Sequence, residues 1–287
     1  MPIDIRYHAV SLLAVFLALA LGILVGFAMV DPGQIRQFVE AVKKDNEHTR
    51  TQNREELESL RQQTKICQSF EKALLPLAVK GRLEGKRVAL LLDHDPGRNS
   101  PAPILRKVLE NSGGRLTAVV LLYSRFGRLK DEEADRIFAG RGIVCPPGTD
   151  KRSFLAGRIG RRIAEGGSDL PRYLEEEGLI GLSSRSDFSQ SVDAVVVVGG
   201  STLDSQFVED VEEPMLRAIE KSGRRLVGCE LSQDSGAAVE FFQRLDLPTV
   251  DCVDTYPGQV ALVLALAGKD GNFGTKESAD RLLPDLE

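Results

Sequence analysis

The stretch AVVVVGGST, from Ala194 to Thr202, decides the fold of this chain. Its four consecutive valines favour a strand that is buried on both faces, and the two glycines after them end that strand abruptly. A helical pattern begins close behind, at about Ser205. A buried strand that passes through a tight turn into a helix is half of a βαβ unit, so the stretch predicts a parallel sheet covered by helices.

The same alternation of apolar runs and helical segments extends to both sides of this strand. The other predicted strands are Val88–Leu92, Leu116–Tyr123, Ile143–Cys145 and Arg225–Cys229. The predicted helices lie between and after them, at 104–109, 154–164, 170–177, 205–222, 237–245 and 258–268. We therefore predict one doubly wound, mostly parallel α/β domain over residues 82–287, with Leu282-Leu283-Pro284 docking the tail onto it.

A second stretch, HAVSLLAVFLALALGILVGFAMV from His8 to Val30, sets the organisation of the N-terminal part. It carries no charge and no proline from Ala9 onward, and as a helix that run is about 33 Å long. A bilayer's hydrocarbon core is about 30 Å thick, so the run predicts a single-pass transmembrane helix within an anchor over residues 1–33. The alternative is a signal peptide cleaved near Gly26-Phe27-Ala28.

Small side chains recur at every fourth position of this apolar run, at Ala14, Ala18, Gly22 and Gly26. Such a strip allows two helix backbones to approach closely in lipid, and it predicts packing of two copies of the helix. The alternative is that alanine and glycine are simply common in membrane helices.

A polar helical segment without internal glycine follows the anchor and is predicted as a stalk over residues 34–80. Ile35, Phe38 and Val42 fit one coiled-coil seam, and Leu57 and Leu60 begin another after a shift of register. This spacing predicts a short, imperfect coiled coil and a homodimer or oligomer built through anchor and stalk; a solvated single helix is the alternative. Pro76 and Gly81 are predicted to end the stalk.

Composition excludes several functions. The formal net charge of −5 and the lack of a long basic run argue against nucleic acid as a partner. The four cysteines, Cys67, Cys145, Cys229 and Cys252, form no CxxC element, so no zinc or redox centre is indicated. Cys229 and Cys252 are interpreted as small buried side chains, with a disulfide between them as the alternative. No nucleophile motif is present, and we predict no enzymatic activity.

Two stretches follow predicted strands and are therefore candidate sites, because ligands bind beyond the carboxyl ends of strands in open α/β sheets. Asp93-His94-Asp95 could hold a divalent metal ion, or it could form a turn that caps the next helix. Gly199-Gly200-Ser201-Thr202 could cradle an anion, but it matches neither GxGxxG nor a P-loop. A tight turn with Ser201, Thr202 or Asp204 as helix N-cap is the preferred interpretation. A third hypothesis is an enzyme site for a small ligand at Asp93–Asp95.

Tyr7–Gly26 resembles the start of the copper-transporter family typified by the mycobacterial copper transport protein B. Val253–Gly268 is similar to the segment leading into that family's last helix, with Tyr256 where the family usually has alanine, and Asn272-Phe273-Gly274 and the Leu282-Leu283-Pro284 tail also fit. The resemblance implies the same layout of anchor, coiled coil and α/β domain, together with a cell-envelope location and a role in copper transport or homeostasis.

The residues themselves give this copper role little support, because copper(I) favours sulfur ligands and the chain has no cluster of cysteine or methionine. Copper is thus implied by the resemblance alone, and no cofactor is predicted with it. The rival hypothesis is a non-enzymatic dimeric scaffold that serves an envelope or division partner. Orientation is also open, since the basic residues after the apolar run favour a cytoplasmic α/β domain, whereas the resemblance places that domain outside.

Overall fold

The structure is a computed structural model that describes residues 5–29, 32–93, 100–200, 205–235 and 237–285. It contains two compact units, Met1–Cys67 and Gln68–Glu287. The predicted boundaries of the stalk, between residues 33 and 34 and between residues 80 and 82, remain a prediction.

The N-terminal unit begins with helix α1, Ile5–Met29. The large apolar side chains between Val10 and Val25 are 52–68% exposed, because no described residue of the unit covers them. Among the described residues, no helix combines the length and hydropathy that crossing a bilayer requires. The predicted transmembrane anchor is therefore not confirmed and remains a prediction.

Helix α2, Pro32–Val79, is 48 residues long, in agreement with the predicted uninterrupted helical segment. Pro32 occupies its first position, where the missing N–H would have no partner in any case. The prediction that Pro76 ends the helix is wrong, because α2 continues through it for one more turn. Leu75 and Val79 are buried in the core of the C-terminal unit, and this burial holds the last turn despite the proline. Gly81 follows with a left-handed φ of 72°.

The C-terminal unit is built on the predicted mostly parallel sheet. Within the described residues the sheet has seven strands in the order β3-β2-β1-β4-β5-β6-β7, and every neighbouring pair is parallel except β2 and β3. The strands are β1 Arg87–Leu92, β2 Arg115–Leu122, β3 Ile180–Leu182, β4 Ala194–Gly199, β5 Arg225–Glu230, β6 Thr249–Val250 and β7 Asn272–Phe273.

Helices cover both faces of this sheet, as the valine run predicts. In β4, Val195 and Val197 face one hydrophobic cluster, and Val196 and Val198 face the other. The end of α2 packs on the second face with α3 Ala102–Asn111 and α11 Tyr256–Leu266. The first face carries α4 Ser124–Gly127, α5 Asp131–Arg141, α6 Lys151–Glu165, α7 Asp169–Glu176, α8 Ser205–Phe207, a π-helical turn Val208–Glu212, α9 Glu213–Lys221 and α10 Ala237–Arg244.

Some local predictions differ from the structure. Ile143–Cys145 is not a strand: Val144 is 84% exposed, and two prolines without N–H donors follow directly. The helix predicted over 205–222 contains the π-helical turn. The strands β3, β6 and β7 were not predicted, because runs of two or three residues carry no readable alternation. The predicted docking of the tail is confirmed for Leu283, which packs against the core, and for Pro284, which is buried, whereas Leu282 is 48% exposed.

Candidate functional site

The candidate site lies where β1 and β4 meet at the centre of the sheet. Strands β2 and β3 continue the sheet from β1, whereas β5, β6 and β7 continue it from β4. The strand order therefore reverses between β1 and β4, and the crevice at the carboxyl ends of such a pair is the usual ligand position in doubly wound folds. Asp93 and Gly200 follow these two strands directly.

Asp93 connects the two strand ends. Its backbone N–H donates to the Val198 carbonyl at 3.3 Å, and its carboxylate Oδ2 accepts from the Gly200 N–H at 2.9 Å. Two candidate stretches that are more than a hundred residues apart in sequence are thus brought together. Because the Gly200 N–H already donates to the Asp93 carboxylate, this N–H is not free to bind an anion.

Position 199 requires glycine because helix α10 packs closely against strand β4 there. A Cβ atom at this position would lie 2.4 Å from the Cβ of Ala238 and 3.2 Å from the ring of Phe242, both on α10. The close approach of α10 to β4 therefore excludes any side chain here. Ser201, Thr202 and Asp204 lie outside the described residues, so their predicted N-cap role stays a prediction.

The predicted metal site is described only at Asp93. His94 and Asp95 lie outside the described residues, and their part in a metal site remains a prediction. Within the described ranges, no three histidine, cysteine, aspartate or glutamate side chains are grouped so as to hold a metal ion.

Glu212 is a buried acidic residue that the sequence analysis missed. It ends the π-helical turn, a type of distortion that occurs often at functional sites. Its side chain is completely buried, and neither carboxyl oxygen has a hydrogen-bond partner among the described residues. Burial raises the pKa of the Glu212 carboxyl well above its usual range, and the negative charge of Asp93 raises it further. In the sequence Glu212 cannot be distinguished from the acidic residues that surround it.

An ion pair fixes the turn that carries Glu212. The Arg152 guanidinium lies 2.9 Å from the Asp210 carboxylate, and both side chains are largely shielded from solvent. Arg152 also donates to the Gly127 carbonyl at 3.0 Å, at the end of α4. These contacts join the π-helical turn to α4 and α6, so Glu212 is held on a rigid support.

A cavity of about 620 Å³ opens beside β1 and β2. Leu92, Val119 and Tyr123 contribute apolar surface to its wall, and Arg106 and Arg185 contribute positive charge. No cysteine, methionine or histidine is among the described lining residues, so this cavity offers no soft ligand for copper(I).

The four cysteines are all free. Cys229 and Cys252 are buried, which confirms their interpretation as small buried side chains, and the alternative disulfide between them is absent. Burial raises the pKa of the Cys229 thiol, so this sulfur is a poor metal ligand at neutral pH. Cys67 is exposed on α2, and Cys145 lies in the loop before α6.

The small-residue strip lies on α1 and is exposed at Ala14, Ala18, Gly22 and Gly26. Apart from the adjacent backbone of α1 itself, no atom of the described residues comes within 4 Å of the place that a Cβ would take at Gly22 or Gly26, so a second helix would find room at both positions. The strip's role in helix packing remains a prediction.

Comparison with known proteins decides the family. The family model described as "Copper transport outer membrane protein, MctB" matches residues 2–284. This chain belongs to the MctB family. Proteins named "Copper transporter MctB" from Mycobacterium bovis and Mycobacterium tuberculosis are 26% identical to it, over 96% of this chain and 98% of theirs.

Membership of the MctB family confirms the resemblance that the two terminal stretches indicate. It implies a role in copper transport and a membrane or envelope protein, and neither the family description nor the relatives' names describe an enzyme. The match includes α1, α2 and the α/β unit, so family membership applies to the whole layout of the chain.

Proposed function

We propose that this MctB-family protein serves copper transport as an envelope protein held in the membrane by α1, with the α/β unit outside the cytoplasm. The observation that carries the proposal is the family match over residues 2–284, which begins ahead of α1 and ends in the docked tail. The α/β unit contributes to copper handling without a tight copper(I) site of its own.

The sequence and exposure of α1 support the anchor. The uncharged run from Ala9 to Val30 is about as long as a bilayer core is thick. Eleven large apolar side chains from Val10 to Val25 are exposed, and a polar environment would leave them all in contact with water. Burial in lipid removes that cost.

The exposed apolar positions of α2 support a homodimer or oligomer. Leu60, Cys67 and Leu74 recur at every seventh position and all are exposed, and Leu57 beside this seam is 52% exposed. A second copy of α2 would cover these side chains in a coiled coil. Parallel pairing of α2 would also bring two copies of α1 together along the strip that contains Gly22 and Gly26.

The rival proposal is a non-enzymatic scaffold for an envelope or division partner. The dispersed cysteines and the lack of a soft-ligand cluster among the described residues favour it, because direct copper(I) transport requires such ligands along a path.

A deletion strain distinguishes the two proposals. We expect cell-associated copper to change on copper loading, with normal cell separation, if copper transport is the direct function. Defective separation with unchanged copper would instead establish the scaffold. Mass spectrometry of the mature N-terminus tests the anchor separately, and a mature start near Met29 would show that the apolar run is cleaved.

A further inference from the structure

Three arginines from two helices line one recess in the α/β unit. The recess has a volume of about 250 Å³, and its positive charge comes from Arg141 of α5 and from Arg158 and Arg162 of α6. Its lining also includes Gly167, Asp169 and Leu170, around the start of α7. We call this cavity the arginine recess.

The arginine recess lies at the opposite edge of the sheet from Asp93 and Gly200. The end of α6 is tied to the segment that leads into β4, because the Ala164 carbonyl accepts the Val192 N–H at 3.0 Å, two residues before that strand begins. Gly200, in contrast, directly follows the end of β4. The recess is therefore separate from the candidate site between β1 and β4.

The charges of the recess are not balanced within the part of the chain that the structure describes. None of its three guanidinium groups forms an ion pair there, and neither does Asp169, the acidic residue of the described lining. Three arginines against one aspartate leave an excess of two positive charges. Arg158 and Arg162 are four residues apart on α6, and like charges at this helical spacing repel. Arg141 and Arg162 lie in last turns, where a helix dipole favours a cation, but this does not account for Arg158.

Aromatic rings hold two of the guanidinium groups in place. The Cζ atom of Arg141 lies 4.1 Å from the centroid of the Tyr173 ring, and that of Arg158 lies 5.9 Å from the centroid of the Phe154 ring. A guanidinium over a ring uses its face and keeps the N–H donors at its edge for another partner. These donors are thus oriented before any ligand binds.

Gly167 and the start of α7 shape the rest of the recess. A Cβ atom at position 167 would lie 3.2 Å from Nη1 of Arg162, so glycine leaves room for this guanidinium. The φ of 120° at Gly167 also favours glycine. No side chain caps the first turn of α7, and the N–H groups and partial positive charge of such a helix start favour an anion.

We propose that the arginine recess binds a phosphoryl group, either inorganic phosphate or the headgroup of an anionic phospholipid. Arginine presents a planar fork of N–H donors that matches the oxygens of phosphate, and the resulting charge-assisted hydrogen bonds are strong. Cavities for drug-sized ligands measure roughly 300–1,000 Å³, so the smaller recess suits one anionic group. This site is distinct from the copper role of the MctB family and does not depend on it.

Calorimetric titration of the purified full-length chain with inorganic phosphate, in a non-ionic detergent at low ionic strength, tests the site. The wild type should bind one phosphate per chain. Arg158→Gln and Arg162→Gln should each weaken binding at least about tenfold, because each removes charge-assisted hydrogen bonds to the anion. Arg161→Gln is the matched control and should bind as the wild type does, because Arg161 is exposed on α6 but does not line the recess.

Native mass spectrometry of the same chain in micelles containing phosphatidylglycerol distinguishes the two sources of the phosphoryl group. One bound lipid per chain, lost in Arg162→Gln and kept in Arg161→Gln, would assign a lipid headgroup. Phosphate binding without such a lipid would assign a soluble phosphate. Circular dichroism of each variant establishes that it is folded.

The proposal is overturned if the wild type binds neither phosphate nor phosphatidylglycerol saturably, or if Arg158→Gln and Arg162→Gln bind as tightly as the wild type. An equal loss in Arg161→Gln would also overturn it, because it would reduce the effect to general surface charge. Copper accumulation in cells is a separate readout, so failure of the copper proposal leaves this result unaffected.

Discussion

Replacing Lys276 by methionine tests how the C-terminal tail is joined to the sheet. The Lys276 ammonium pairs with the buried Glu230 carboxylate and donates to the carbonyls of Leu231, at 3.0 Å, and Asp234, at 2.8 Å. Methionine keeps most of the side-chain volume but removes all three interactions. The Glu230 carboxylate then remains buried at the end of β5 without a counter-ion.

The expected loss of stability follows from this geometry. Breaking a buried ion pair by removing one partner costs about 3–5 kcal/mol. The lower end applies here, because Glu230 still accepts the Val239 N–H at 3.4 Å and the Lys276 side chain is 20% exposed. We expect a loss of about 3 kcal/mol, which lowers the melting temperature of a domain of this size by roughly 6–12 °C.

Thermal and urea denaturation of the full-length chain, followed by circular dichroism, measure this effect. The exposed Lys221, at the end of α9, supplies the matched control Lys221→Met, which should change the melting temperature little. The double variant Glu230→Gln with Lys276→Met should recover at least half of the loss, since it removes the buried charge. A Lys276→Met loss below about 1 kcal/mol, the value of an ordinary exposed pair, would refute the reasoning.

Three further predictions concern the other parts of the chain. The double variant Gly22→Ile, Gly26→Ile should weaken dimerisation of the membrane-embedded protein, because the larger side chains prevent close approach of the two α1 helices. The double variant Leu57→Asp, Leu60→Asp should weaken dimerisation further, because it places charge in the coiled-coil seam. If the exposed Cys67 gives no crosslinked dimer in the wild type, parallel pairing at that level is ruled out. Glu212→Gln should stabilise the protein at neutral pH, because burial raises the folded-state pKa of the Glu212 carboxyl. The wild type should therefore lose stability as pH rises above the ordinary glutamate range, and in pH-dependent urea denaturation the variant should lack that loss. The copper(I) chelator bathocuproine should remove copper(I) completely from the reduced full-length chain, because we expect no tight copper(I) site. This expectation would be contradicted by one copper ion per chain that resists the chelator and is lost on Cys→Ser or His94→Ala substitution.

The sequence predicts the central sheet well, because a strand that is buried on both faces is an uninterrupted run of apolar residues. The valines of β4 and the leucines of β1 are apolar on both sides of the strand, and the structure places alternate residues of each in opposite clusters. The same reasoning does not extend to β6 and β7, which have two residues each and carry no pattern. The prediction that Pro76 ends the helix is wrong because the burial of Leu75 and Val79 outweighs the destabilising effect of a proline inside the helix.

The candidate site was predictable only in part. The position of Asp93 and Gly200 follows from fold class, since both come directly after strands that the sequence reveals. Glu212 could not be found in this way, because it is distinguished by its burial and by having no hydrogen-bond partner among the described residues, and both arise from tertiary packing. The sequence around it, with Glu209, Asp210 and Glu213 nearby, is typical of an exposed helix.

The most direct test of the central claim is the copper content of cells after copper loading, measured by mass spectrometry of the metal in a deletion strain. One arm is complemented with the full chain and another with residues 34–287, which lack α1. We predict that deletion changes cell-associated copper and that only the anchored chain restores the wild-type level. Unchanged copper on deletion would contradict the copper role, and full restoration by residues 34–287 would contradict the anchor.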